Sequence, residues 1–149
     1  MIITIITGGT GSENIQTELF NINKDISLNL IINGYDDGKS TGIIRNKFKN
    51  SLGISDFRKN QILEYKLRYK NENEKIYYLL NHRFTNNTNP YNYIINLIKD
   101  NCIDNEKLKE FLICNTDYFF KLKLIENIKY EDFNFMNIIY CSLLHKNNN

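Results

Sequence analysis

The chain has 149 residues and a mass of 17.7 kDa, with 42% hydrophobic, 13% aromatic and 24% charged residues. That balance is globular and excludes a disordered, collagen-like or disulfide-rich chain. The 19 basic and 17 acidic residues leave a net charge of +2, and the mixed charges from Arg58 to Lys75 read as solvated helix faces, so no electrostatic footprint for nucleic acid stands out. Ala, Val and Trp are missing, whereas Asn, Ile and Lys number 25, 23 and 15, a bias that fits an AT-rich genome and strips the Asn abundance of functional meaning.

A length of 149 residues predicts one domain, 1–149, burying about 68–70% of its unfolded surface. The opening run Ile2 to Thr7 is apolar and β-branched, the pattern of a parallel strand buried on both faces. It is too short to span a membrane and lacks a basic leader, so neither a membrane partner nor export is expected and the location reads as cytoplasmic. Gly8 to Gly11 end the strand, and Ser12 is placed to cap a helix from Glu13 to about Phe20 in which Ile15 and Leu19 share a face. A second strand over Leu28 to Asn33 runs into GYDDGKSTG, after which Ile43, Ile44 and Phe48 mark another helix. This βαβα rhythm over residues 1–55 predicts an α/β fold of the doubly wound, Rossmann-like kind, with adjacent parallel strands and both glycine-rich loops at their carboxyl ends, where such folds hold ligands.

Residues 56–146 read as a predominantly helical second half, with segments near Phe57 to Tyr69, Glu74 to His82, Tyr91 to Asp100, Asn105 to Ile113, Asp117 to Ile125 and Phe135 to His145. No third strong strand is visible, and Pro90 within FTNNTNPYN marks a long loop. Cys102, Cys114 and Cys141 form no metal-binding spacing with one another or with His82 and His145, and read as buried free thiols. Tyr77, Tyr78, Phe119 and Phe120 fall in amphipathic segments and read as core.

Three loops carry candidate chemistry. In TGGTGSEN the residues Gly8, Gly9, Thr10, Gly11 and Ser12 allow close backbone approach to a phosphate, and the following helix offers its unpaired N–H groups; a ligand-free turn is the alternative. Asn14 stands where a dinucleotide fingerprint needs its third glycine, which argues against a standard dehydrogenase. In GYDDGKST only three residues separate Gly34 from Gly38, one short of a nucleoside-triphosphate P-loop, and two carboxylates would face the phosphates. Asp36 and Asp37 suit a hard divalent cation bridging to phosphate, or else a local turn in which they bond backbone N–H groups. In LGISDFRKNQIL, Ser55 or Asp56 caps a helix, or Asp56 joins the first two loops as a metal or hydroxyl ligand with Arg58 as a phosphate partner.

In this order TGGTGSEN, NGYDDGKSTGIIRNKF and LGISDFRKN resemble the N-terminal half of the CofD/YvcK superfamily, which contains 2-phospho-L-lactate transferases and gluconeogenesis-factor-like, nucleotide-sugar-binding YvcK proteins. YYLLNHRF and FNFMNIIYCSLL are similar to two further family segments, so the resemblance spans nearly the whole chain, and the double-Asp loop looks more like the YvcK branch. Lys39, Lys59 and Met136 depart from the family pattern. The resemblance implies a nucleotide or nucleotide-sugar ligand, with Gly8 to Ser12, Gly38, Lys39, Ser40, Thr41, Arg45 and Arg58 on its phosphates and Asp36 with Asp37 as the reacting or hydroxyl-fixing pair. It implies in the transferase branch a Mg²⁺ held by Asp36 and Asp56, for transfer of a phospho-acid from a nucleoside diphosphate adduct to a hydroxyl. Family members continue into further strands, and two strands alone make a small sheet with open edges. Association with a second copy or with a separately encoded C-terminal half, or a non-catalytic split subunit, is therefore expected.

Overall fold

A computed structural model of the chain describes residues 1–35, 39–48, 53–69, 73–86 and 88–147. Strand β1 (Ile2–Thr7), helix α1 (Glu13–Ile22) and strand β2 (Ser27–Ile32) come first. Then follow α2 (Lys39–Lys47), α3 (Ile54–Tyr69), α4 (Glu74–Asn81), α5 (Tyr91–Asn101), α6 (Glu106–Lys121), a 3-10 turn over Lys123–Ile125, and α7 (Phe135–Asn147). The protein is thus α/β and mostly helical, with one parallel two-stranded sheet among the described residues.

The β-branched residues of β1 and the alternating Leu and Ile of β2 favour extended backbone. The strands pair from Ile2 opposite Ser27 to Thr7 opposite Ile32. The ladder continues one step further, Asn33 N donating to Thr7 O at 3.0 Å, so both following loops leave the same end of the sheet. Burial on both faces is not what the strands show. Ile3, Ile5, Leu28, Leu30 and Ile32 are half-buried, but the alternate residues face out, with Ile2, Ile6 and Ile31 at 71%, 82% and 55% exposure. The apolar run of β1 arises because Ile occupies both registers of the pleat, while no described element covers the outer face.

The main core is helical. Its buried side chains run from Ile44 of α2 to Cys141 of α7 and include Leu79, Ile94, Ile98, Phe119, Phe133 and Ile138; none comes from β1, α1 or β2. Helix α6 is continuous across Cys114 to Thr116, where the sequence suggests a break. Asn115 there returns its Nδ2 to Phe111 O at 2.8 Å, and Asn115 and Thr116 are buried, so packing outweighs their weak helix propensity. Cys102 and Cys141 are buried thiols, whereas Cys114 is exposed. Tyr78 is likewise exposed rather than core, and Phe119 is fully buried.

Helix α3 joins the βαβ unit to the helical body. At its far end Arg68 donates through Nη2 to Ile26 O at 3.1 Å, lies 4.5 Å from the Phe20 ring centroid, and is held by Glu64 Oε1 at 3.0 Å. Two turns earlier on the same stripe, Asn60 reaches the glycine loop after β1. No helix of the described residues is long and apolar enough to cross a membrane.

Candidate functional site

The loop Gly8 to Ser12 lies against the first turns of α3. Asn60 Nδ2 donates to Gly8 O at 2.8 Å and to Asp56 O at 2.9 Å, and Asn60 Oδ1 accepts from Gln16 Nε2 at 2.8 Å. The same Gln16 amide donates to Ser12 Oγ at 2.8 Å, and Ser12 Oγ shares a further hydrogen bond with Thr7 Oγ1. Ser12 does stand at the N-cap of α1, but its side chain makes no capping bond, because it turns inward to this network. Thr7, Ser12, Gln16 and Asn60 are all buried, so the network fixes the loop from below.

Close approach explains Gly9. A Cβ there would fall on the Asp56 carboxylate and stand 2.8 Å from Lys59 Nζ, whereas one at Gly11 would meet nothing within 4 Å. Lys59 Nζ itself pairs with Asp56 Oδ1 at 3.2 Å. Lys59 therefore sets a cation directly against the glycine loop.

Beside that pair opens a cleft of about 190 Å³. Gly9, Thr10 and Glu13 form one wall, Arg58, Lys59 and Lys66 the other, with Ile62 and Leu63 as apolar floor and Tyr77 and Asn81 of α4 at its margin. Positions 59, 62, 63 and 66 share one face of α3, which is how a single helix supplies both the floor and two of the cations. Two of these cations face carboxylates, Lys59 that of Asp56 and Lys66 that of Glu13. The Lys66–Glu13 contact is long, 3.8 Å, and about half exposed on both sides, so it binds Lys66 only weakly. Arg58 is nearly wholly buried, and its positive charge favours ionisation of Tyr140 on α7 against the effect of burial.

The remaining candidates divide. Asp36, Asp37 and Gly38 lie outside the described residues, as do the side chains of Lys39 and Ser40. Asn33 Oδ1 accepts from Tyr35 N at 3.0 Å, and Gly34 O accepts from Gly53 N at 2.6 Å, which brings the start of the second loop to the entrance of α3. Thr41 is fully buried with its hydroxyl against Ser55 Oγ, tying α2 to α3 rather than facing the cleft. Ser55 and Asp56 stand inside the first turn of α3, which begins at Ile54, so neither is its cap. Arg45 lies 5.4 Å from the Tyr35 ring centroid, apart from the cleft lining. His145 accepts or donates at 2.9 Å to Tyr118 OH, a packing role.

Among the described residues no group of three His, Cys, Asp or Glu side chains stands together as a metal site, and Asp56 carries Lys59 where a cation would sit. Gln16 and Lys66, which fall in no motif of the sequence, complete the site together with Asn60 and Tyr77, whose segments LGISDFRKN and YYLLNHRF gave no sign of these contacts. The i, i+4, i+8 spacing of Asn60, Glu64 and Arg68 was the one available signal for the polar stripe toward the βαβ unit. Comparison with protein-family models, with curated proteins and with solved structures gives no match to the chain.

Proposed function

We propose that the chain is a nucleotide or nucleotide-sugar binding protein of the YvcK type, holding the ligand's phosphates in the cleft between Gly9–Thr10 and α3, on a Rossmann-like framework. The observation that carries this reading is the meeting of Gly9 with Lys59, Arg58 and Lys66 at the carboxyl end of β1. A diphosphate is the chemistry that such a place suits: its charge replaces the Asp56 and Glu13 carboxylates as partner for the lysines, and the N–H groups opening α1 add a favourable dipole. The apolar floor of Ile62 and Leu63 then lies beneath the uncharged part of the ligand.

The reading is tested by calorimetric titration of the purified chain with UDP and a UDP-sugar, with and without Mg²⁺. Saturable binding is expected, weakening as salt rises, and about tenfold weaker in Lys59→Gln, which corresponds to about 1.4 kcal/mol for one charged contact. Absence of binding by both ligands at millimolar concentration overturns it. Release of nucleoside monophosphate from a nucleoside diphosphate adduct in the presence of Mg²⁺ would instead assign the transferase chemistry, with Asp56 exchanging Lys59 for the metal.

A further inference from the structure

A second cavity, of about 320 Å³, lies between the end of α4 and the start of α5 and shares no lining residue with the cleft. His82, Phe84 and Tyr93 line it with rings, and Arg83 is the one charged residue among its described lining residues. The rings form a cluster of contacts: His82 to Tyr93 and His82 to Phe84 at 5.4 Å, and His82 to Tyr78 at 5.7 Å. Tyr78 and Tyr93 nevertheless keep 54% and 51% of their surface exposed, an unusual amount of aromatic surface to leave in water at one place.

The wall is rigid. Phe84 N donates to Phe133 O at 3.0 Å, Asp132 N to Phe84 O at 2.9 Å and Phe135 N to His82 O at 2.9 Å, so residues 82–84 are clamped to the segment before α7. Arg83 Nη1 donates to Asp132 O at 2.9 Å, at a residue whose φ of 62° turns the chain there. One nitrogen therefore holds the guanidinium in place, and its planar fork retains further donors for an anion. Burial lowers the His82 pKa, so its ring stays neutral at neutral pH and adds an aromatic face rather than a charge. Asn86 and Thr88 supply polar groups at the rim.

We propose that this cavity is a second binding site, taking a planar aromatic ring that carries one anionic group: the ring stacks among Tyr93, His82 and Phe84, and the anion meets Arg83. A cationic ligand is disfavoured by Arg83 and by the lack of a carboxylate among the described lining residues. Nucleoside monophosphates and aromatic carboxylates share this chemistry, and its size falls at the lower end of the range for small-molecule sites.

The test follows the imidazole signals of His82 and the ring signals of Tyr93 by NMR during titration with AMP and with indole-3-carboxylate. Adenosine and inorganic phosphate serve as the ring-only and anion-only controls. Saturable shifts are expected with at least one of the two anionic ring compounds, at least fivefold stronger than with either control, and the responding compound assigns the source. Arg83→Gln is expected to weaken that binding five- to tenfold while leaving adenosine unchanged, and Tyr93→Leu, at an exposed position, to remove it. Lys59→Gln is expected to leave these shifts intact, which separates the site from the phosphate cleft and lets either fail alone. No shift at His82 with either compound, or binding indifferent to Arg83→Gln, overturns the proposal.

Discussion

Asn60 is the residue on which the glycine loop rests. Its amide satisfies Gly8 O, Asp56 O and Gln16 at once in a buried place. Asn60→Ala leaves those groups without it, and a destabilisation of about 2–3 kcal/mol is expected in urea denaturation, since each orphaned buried polar group costs about 1–3 kcal/mol. Loss within 0.5 kcal/mol of zero would mean that water replaces the amide at no cost (order of magnitude as for a surface change). The glycines around it were legible because a strand followed by TGGTGS leaves few other backbone options. Asn60 was legible as the end of LGISDFRKN but not as the support of the loop, since nothing in the sequence places it beneath Gly8 until the fold does. Lys59 was legible only as an irregularity, because an ion pair with Asp56 three positions away looks the same on any exposed helix.

Helices were legible wherever one apolar stripe meets one core, as in α4 and α5. Helix α3 presents two occupied faces, a polar stripe of Asn60, Glu64 and Arg68 toward the βαβ unit and the cleft face of Lys59, Ile62, Leu63 and Lys66, so periodicity alone located it without revealing its task. The outer face of the sheet was misread for the converse reason: isoleucine at alternate positions looks buried whether or not anything covers it. Around the helical body two phenols report packing. Burial pushes Tyr130 and Tyr140 up to about 12, against 10 for an unfolded tyrosine. Their neutral forms are favoured by folding, so their contribution to stability is complete below pH 10 and disappears as pH rises toward 12. Alkaline unfolding in that window is expected, with tyrosinate absorbance and loss of helical circular dichroism rising together. Tyr130→Phe should move the transition to higher pH; an unchanged transition would place the sensitive group elsewhere.

At the scale of the molecule, the main core starts at Ile44 and owes nothing to β1, α1 or β2. The βαβ unit is attached through α3 by the hydrogen bonds of Asn60 with Gln16 and Gly8 at one end and Arg68 at the other. Amide hydrogen exchange should therefore be faster in β1 and β2 than in α6 and α7, since units with few apolar attachments open without global unfolding. Equal protection in both regions would show a single cooperative unit. The position of Gly9 between those two bodies gives the difference a further meaning. A ligand gripped by the loop on one side and by Lys59 and Lys66 on the other is a latch across the seam. Each such binding event raises the free energy of local opening by RT ln(1 + [L]/Kd), so occupancy would be recorded as slowed exchange along the whole of β1, beyond the residues the ligand touches.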